Sequence, residues 1–199
     1  MKFMKSLQLS LVALSVTLLA LNANAQHIKL LEGSIDVLKN EKSINTEFTY
    51  KDMRVGKYDK EADYVNEKKE EYNKKEPGKG DAWAKNWEGD RQYKYEPKFN
   101  ELFEKYSDMI VKPGSKYTLI FNTNFTELGF NVGVARKSAQ INGDAVIVET
   151  ADKSKIIAKI RLEKAPGSAF FTGNDFDSGD RIAECYASAG KGLAKFIKK

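Results

Sequence analysis

The sequence predicts an α/β (mixed α+β) fold: a single four- to five-stranded mixed sheet packed by helices, with a charged helical insertion in the crossover. Two periodicities predict it. Apolar residues alternate along segments rich in β-branched and aromatic side chains, as in strands, and recur at helical spacing along others. The order is one or two strands, helices, a strand, a strand pair and a helix. A strand–helix–strand crossover of this kind places its two strands in one sheet.

The start of the chain has the pattern of a secretory signal peptide. A basic start (Met1 to Lys5) precedes a mainly apolar run (Leu7 to Leu21), and Ala23-Asn24-Ala25 is a small-x-small cleavage site. A transmembrane anchor is disfavoured because the run is shorter than the ~20 residues of a membrane-spanning helix. We expect cleavage after Ala25 and a periplasmic or secreted protein.

The charge balance argues against a nucleic-acid partner. The chain carries 33 basic and 28 acidic residues, and loss of Lys2 and Lys5 with the signal peptide would lower the formal net charge from +5 to +3. The basic residues are mostly interleaved with acidic ones, whereas a nucleic-acid-binding surface needs a clustered basic patch. We therefore expect no nucleic-acid partner.

The single cysteine and the single histidine argue against several kinds of covalent link, metal site and catalytic site. The single cysteine, Cys185, allows no intrachain disulfide, and no cysteine near the cleavage site could carry a lipid anchor. The single histidine, His27, would be second in the mature chain. Zinc binding is therefore disfavoured, because zinc sites draw mainly on several Cys and His ligands. Histidine-based hydrolysis is disfavoured because it needs a firmly held imidazole, and chain termini are usually poorly ordered. We expect no cofactor and, after cleavage, no transmembrane segment or lipid anchor.

The predicted mature chain (residues 26–199) reads as a single domain that starts with strands. Residues 28–55 are typical of one or two strands, since Ile35 and Val37, and then Phe48 and Tyr50, sit at alternate positions around a turn at 39–42.

Residues 57–96 form the charged insertion, with 10 basic and 11 acidic residues and too few apolar residues for a core of their own. We expect a helix that ends at Pro77-Gly78, a short helix over 82–87, and a loop through Gly89.

The strongest helix before the C-terminus follows Pro97, which suits the first helical turn. Its apolar residues recur at helical spacing up to the stop at Lys112-Pro113-Gly114: Phe99, Leu102, Phe103, Tyr106 and Ile110.

The second half predicts three strands and a last helix. A strand begins at Tyr117, and a strand pair covers 145–149 and 155–162 around a hairpin loop at 151–154. In the last strand one face is apolar and the other carries Lys159 and Arg161, which indicates a sheet with one covered face; the apolar residues are Ile156, Ala158, Ile160 and Leu162. A helix follows over 179–197. Its small residues would let it lie close on the sheet: Ala183, Ala187, Gly190 and Ala194.

Four aromatic residues of the charged insertion are candidates for a binding surface: Trp83, Trp87, Tyr93 and Tyr95. Trp83 and Trp87 are four residues apart and share a helix face. Exposed aromatics among polar residues stack on sugars or anchor protein partners. The alternative, which we favour for the two tryptophans, is that they cover the sheet or the neighbouring helix.

An acidic loop before the last helix is a candidate calcium site. Asp175, Asp177 and Asp180 lie at near-alternate positions among glycines, and calcium prefers oxygen ligands on a bendable loop. The spacing does not match the EF-hand pattern, which needs Gly at the sixth position and Glu at the twelfth. We therefore favour a turn in which Asp177 caps the helix and Asp180 complements its dipole.

The C-terminal half, from Tyr117 onward, carries a recognisable series of elements over about 80 residues. These are the strand pair, Pro166-Gly167, the segment Phe176-Asp177-Ser178-Gly179-Asp180-Arg181-Ile182 and the helix from Tyr186 to Lys195. The series resembles exported bacterial proteins of unknown function and the small α/β domains of envelope lipoproteins of the curli-secretion and TolB amino-terminal types. The resemblance implies a mixed sheet backed by helices and a role in envelope assembly or binding. It transfers no catalytic residue, and the lipidated cysteine of those lipoproteins is missing here.

We therefore expect an exported, non-enzymatic binding or assembly component of the cell envelope, with an envelope protein or a glycan as its partner. The alternative is a carboxylate-dependent hydrolase or a carbohydrate-binding protein. An enzyme of this kind should bring two or more acids together in one deep pocket, whereas a binding protein should expose an aromatic or apolar patch.

Overall fold

A seven-stranded mixed sheet and four α-helices dominate the computed structural model, which describes residues 26–131, 135–167 and 178–199. The predicted signal peptide lies outside these ranges. The strands are β1 (His27–Gly33), β2 (Ser43–Thr49), β3 (Arg54–Val55), β4 (Ile110–Val111), β5 (Tyr117–Glu127), β6 (Phe130–Asn131), β7 (Arg136–Lys137), β8 (Gln140–Glu149) and β9 (Asp152–Pro166). The helices are α1 (Glu61–Lys75), α2 (Lys79–Asp90), α3 (Glu96–Ser107) and α4 (Ser178–Ile197).

The sheet has the strand order β1-β9-β8-β5-β2-β4, and β3 follows β2 along the same edge of β5. β2 is parallel to β4 and to β5, and β3 is parallel to β5, whereas the pairs β5–β8, β8–β9 and β9–β1 are antiparallel. The predicted mixed sheet is therefore confirmed. It has more strands than the four or five expected because the two-residue strands β3 and β4 add to it, β3 beside β5 and β4 beside β2. β6 and β7 form a separate two-stranded ribbon.

One face of the sheet carries the core. Apolar side chains of β5, β8 and β9 that share this face are fully buried: Leu119, Phe121, Ala145, Ile147, Ile160 and Leu162. The other face is polar and is held by cross-strand pairs, such as Arg161 with Asp144 at 3.0 Å and Lys153 with Glu47 at 2.7 Å. The alternation along β9 thus predicts the covered face correctly, except at Ile156. A register shift between Ile147 and Val148 of β8 leaves Ile156 49% exposed.

The crossover from β2 to β5 contains the charged insertion. α1 and α2 form a helical hairpin, and a π-helical turn (Arg91–Tyr95) joins α2 directly to α3. The expected loop through Gly89 is wrong, because α2 continues to Asp90. Packing does not require a glycine at position 89, because an added Cβ would lie 3.6 Å from the ring of Tyr93, which is ordinary contact.

Among the predicted element boundaries that differ from the structure, two have a clear local cause. Ile35 and Val37 do not continue a strand, because Asp36–Leu38 forms a 3-10 turn after Ser34 accepts the backbone N–H of Asp36 at 3.1 Å. At the end of α3, Asp108 adopts a left-handed conformation (φ 63°), which ends the helix before Ile110. Ile110 therefore lies in β4 and is 64% exposed, not on the apolar stripe of α3.

α4 packs most closely on α3 at Gly190. A Cβ at this position would lie 2.2 Å from the carbonyl oxygen of Phe99, so only glycine permits the approach. The glycine at 190 therefore brings α4 close to α3, whereas the sequence predicts a close approach to the sheet. None of the helices within the described ranges is long and apolar enough to cross a membrane.

The contact at Gly190 gives a direct test of this packing. We expect Gly190→Ala to lower the free energy of unfolding by about 2 kcal/mol, because the new methyl group would overlap the backbone of α3. Gly89→Ala is the matched control: it is also a helical glycine, but with room for a methyl group, so it should be neutral or stabilising by up to about 1 kcal/mol. Urea unfolding of both variants measures the difference. Equal stability of the two variants would contradict the close approach.

Candidate functional site

The two candidate tryptophans lie between α1 and α2. Their rings stack on each other with centroids 5.7 Å apart, and Trp87 is buried while Trp83 is half-buried. Both contact the ring of Tyr64 on α1, at 5.8 Å from Trp83 and 5.1 Å from Trp87, and Trp83 also meets Tyr72. Their rings thus hold the helical hairpin together.

The two candidate tyrosines lie on the π-helical turn and face opposite environments. Tyr93 is 78% exposed, whereas Tyr95 is 4% exposed and stacks on Tyr186 of α4 with ring centroids 4.9 Å apart. The structure therefore brings Trp83 and Trp87 together, sends Tyr95 into the core and leaves Tyr93 at the surface. π-Helical turns recur at functional sites in proteins.

A polar cluster that the sequence did not predict anchors this turn. Glu61, at the start of α1, accepts a hydrogen bond from Trp87 Nε1 at 2.6 Å and a second one from Arg91 Nη2 on the same oxygen. The guanidinium of Arg91 also lies 4.1 Å from the centroid of the Tyr50 ring, a cation–π contact. Burial opposes the charge on Arg91, but the hydrogen bond and the charge of Glu61 hold the pKa of the guanidinium above its usual value.

The cluster continues from Tyr50 toward the sheet. The Tyr50 hydroxyl donates to Glu96 Oε1 at 3.5 Å, and the hydroxyls of Tyr186 and Thr123 are 2.6 Å apart. Burial, followed by the nearby Tyr186 and Glu96, raises the pKa of Tyr50 far above its usual value, and burial does the same for Tyr186. Burial also raises the pKa of Glu96, against the hydrogen bond from Tyr50. The tyrosines are therefore neutral hydrogen-bonding groups, not proton carriers near neutral pH.

The space enclosed by this cluster is small. A cavity of about 10 Å³ is lined by Glu61, Arg91, Tyr95 and Tyr186, together with Tyr50, Met53, Trp87, Thr126 and Ile182. This volume suits a single water molecule and no larger ligand. The arrangement can fix the position of the π-helical turn, but it has no room for a substrate.

A larger depression lies elsewhere, on the outer side of α1. It has a volume of about 460 Å³ and is lined by Asn66, Lys69, Glu70, Asn73 and Lys74. Only one of these five residues is acidic, so the depression does not supply the pair of carboxylates that a hydrolase of the expected kind needs.

The candidate calcium residues are only partly described. Asp175 and Asp177 lie outside the described residues. The predicted capping of the last helix by Asp177 therefore also lies outside them. Asp180, in the first turn of α4, forms an ion pair with Lys94 Nζ at 2.9 Å. Lys94 also approaches Asp90 at 3.4 Å. In the part of the chain that the structure describes, no group of three or more His, Cys, Asp or Glu residues is placed to hold a metal ion.

Sequence reasoning missed the residues of the polar cluster because their partners are distant in the chain. Glu61 lies 30 positions before Arg91, and Tyr50 lies 46 positions before Glu96. Within a segment where half of the residues are charged, no single acid or base stands out. The only local signal is the four-residue spacing of Trp87 and Arg91, which places both on one side of the helical segment.

The stacked pair Tyr95 and Tyr186 offers a matched test of the polar cluster. The Tyr95 hydroxyl is buried and has no hydrogen-bond partner among the described residues, so we expect Tyr95→Phe to leave the stability unchanged or raise it. Tyr186→Phe removes the hydrogen bond to Thr123 and leaves that hydroxyl buried, which should cost about 1–2 kcal/mol. Chemical unfolding measures both. A larger loss in Tyr95→Phe than in Tyr186→Phe would contradict the assignment.

The single thiol gives a second test. Cys185 is fully buried on α4 and donates to the carbonyl oxygen of Arg181 at 3.4 Å, and burial raises the pKa of the thiol well above its usual value. Since the thiolate is the reactive form, we expect an aromatic disulfide reagent to label Cys185 only after unfolding in denaturant. The absorbance of the released thiolate measures labelling. Rapid stoichiometric labelling of the native protein would contradict the burial.

Comparisons with known proteins do not assign a family to the chain. No family model matches it, and no curated protein matches it. Among solved structures, a PelC dodecamer from Paraburkholderia phytofirmans is similar over 82% of this chain and 96% of that chain, with 8% sequence identity and a TM-score of 0.35. A single-residue variant of the same PelC dodecamer is similar over 82% and 97% of the two chains, with 9% identity and a TM-score of 0.36.

Proposed function

We propose that this protein is an exported, non-enzymatic binding or assembly component of the bacterial cell envelope, located in the periplasm or outside the cell. The signal-peptide pattern before Gln26 supports export, and the lack of a cysteine near that position supports an untethered protein. The partner is an envelope protein or a glycan.

The observation that carries the binding role is the exposed ring of Tyr93 on a rigid support. Its π-helical turn is held on one side by Arg91, which binds Glu61, and on the other by Tyr95, which stacks on Tyr186. An aromatic side chain on a fixed backbone loses little entropy when it is buried by a partner, which is why such residues are frequent binding hot spots.

The alternative function, a carboxylate-dependent hydrolase, is less well supported. Glu61 and Glu96 both lie near Tyr50, but the first is engaged by Trp87 and Arg91 and the enclosed cavity is too small for a substrate. The polar cluster thus favours a structural role for these two acids. A carbohydrate-binding role without catalysis remains compatible with an exposed tyrosine.

Site-specific crosslinking tests the role of Tyr93. A photoreactive phenylalanine analogue at position 93, in the full chain expressed with its signal peptide, should give a discrete adduct in the envelope fraction. Ile156, 49% exposed on the distant β8–β9 hairpin, is the control position and should give none. Tyr93→Ala should change the stability by less than about 0.5 kcal/mol, because the side chain is at the surface.

Two results would contradict the proposed function. One is an adduct pattern that is the same at positions 93 and 156. The other is full-length protein that remains in the cytoplasm, when the expected product is an envelope or extracellular protein whose mass corresponds to residues 26–199.

A further inference from the structure

Three lysines converge on one tyrosine ring on the outer side of α3 and α4. Lys191 and Lys195, one turn apart on α4, place their ammonium groups 5.0 and 5.1 Å from the centroid of the Tyr106 ring. Lys105 of α3 lies 6.0 Å from the same ring. All three lysines are exposed, and Tyr106 is partly buried against the core. We call these four residues the lysine surface.

The charge of the lysine surface is not compensated within the fold as far as the described residues show. No carboxylate in the described ranges lies within ion-pair distance of Lys105, Lys191 or Lys195, although other lysines on α3 and just beyond the end of α4 are paired. Lys98 binds Glu101 at 3.4 Å, and Lys198 binds Asp108. Three ammonium groups held around one ring repel one another, and an anion placed among them would relieve this repulsion.

We propose that the lysine surface binds an anionic glycan that carries carboxylate groups. This inference names the partner chemistry for the proposed binding role and rests on that role for the choice of an envelope polymer. The ammonium groups match the charge of the carboxylates, and an aromatic ring among them offers an apolar contact to a sugar ring. A series of acidic groups along the polymer can engage the three lysines together.

A membrane surface fits this site less well than a glycan. Helices that lie on anionic membranes insert large apolar side chains such as Trp, Phe or Leu. Of the residues whose exposure the structure describes, no exposed large apolar side chain lies on α3 or α4. The lysine surface therefore presents charge and one partly buried ring, without an apolar anchor.

Binding of polygalacturonate to the purified full chain tests the inference. We expect binding at low ionic strength that weakens as salt is added, since exposed charges are screened. Lys191→Glu/Lys195→Glu should weaken binding by about tenfold or more, because two attractive contacts become repulsive. Lys191→Arg/Lys195→Arg should retain it. The control is Lys74→Glu/Lys85→Glu, which makes the same charge change at exposed lysines of α1 and α2 and should alter binding by about twofold or less.

Four outcomes would overturn the inference: no binding of polygalacturonate by the unaltered protein, equal losses in the two glutamate double variants, equal binding to neutral dextran, or tighter binding to polyglutamate or to vesicles of anionic phospholipid. Each is read from isothermal titration of the purified protein and does not depend on export. Failure of the inference is therefore separable from failure of the proposed function, which is read from localisation and from crosslinking at position 93.

Discussion

The hydrogen bonds to one carboxylate oxygen of Glu61 fix the position of the whole helical insertion. Trp87 and Arg91 come from α2 and the π-helical turn, and both donate to this atom at the start of α1. The ionic side chains are about one-fifth exposed, so neither charge is fully hydrated and each needs its partner. Arg91 also links the insertion to the sheet, because its guanidinium lies over the ring of Tyr50, which directly follows β2. A charged helical hairpin with little apolar surface of its own is thereby attached to the core by polar contacts and stacked aromatic rings.

The π-helical turn is held in a fixed position, which sets the orientation of its side chains at the surface. Because α2 leads into α3 without a loop, the turn cannot move independently of the two helices that flank it. It also contacts the start of α4: Lys94 binds Asp180, and a Cβ at Gly179 would lie 2.1 Å from the Asp90 carboxylate. The absence of a side chain at position 179 thus permits a carboxylate to approach the N-terminal end of α4, where the helix dipole favours negative charge. With the turn fixed from three sides, Tyr93 is oriented outward and Tyr95 inward.

The sequence predicts the elements whose signals are local and fails where the structure depends on distant partners. The strand pair, α3 and α4 are predictable because their apolar periodicity extends over several turns or strand positions. The exposure of Ile156 and Ile110 is not, because a register shift in β8 and a left-handed residue at Asp108 have no clear local signature. The polar cluster is the extreme case. Each residue of the cluster is ordinary in its own segment and acquires a role only when the crossover brings β2, α1, α3 and α4 together.

The distribution of polar groups gives the fold an inside and an outside with different chemistry. Inside, the carboxylate of Glu61 and the hydroxyls of Tyr50 and Tyr186 form hydrogen bonds with other side chains. The cavity among them has a volume of only about 10 Å³, so these groups stabilise the fold and leave no room for a ligand larger than water. Outside, Tyr93 is largely exposed, and among the described residues no carboxylate lies within ion-pair distance of the three lysines of the lysine surface. The close approach at Gly190 fixes the two helices that carry these lysines, and the Glu61 cluster fixes the turn that carries Tyr93. Preorganised groups of this kind suit the proposed binding role, because a partner can gain contact area or charge pairing without rearranging the core.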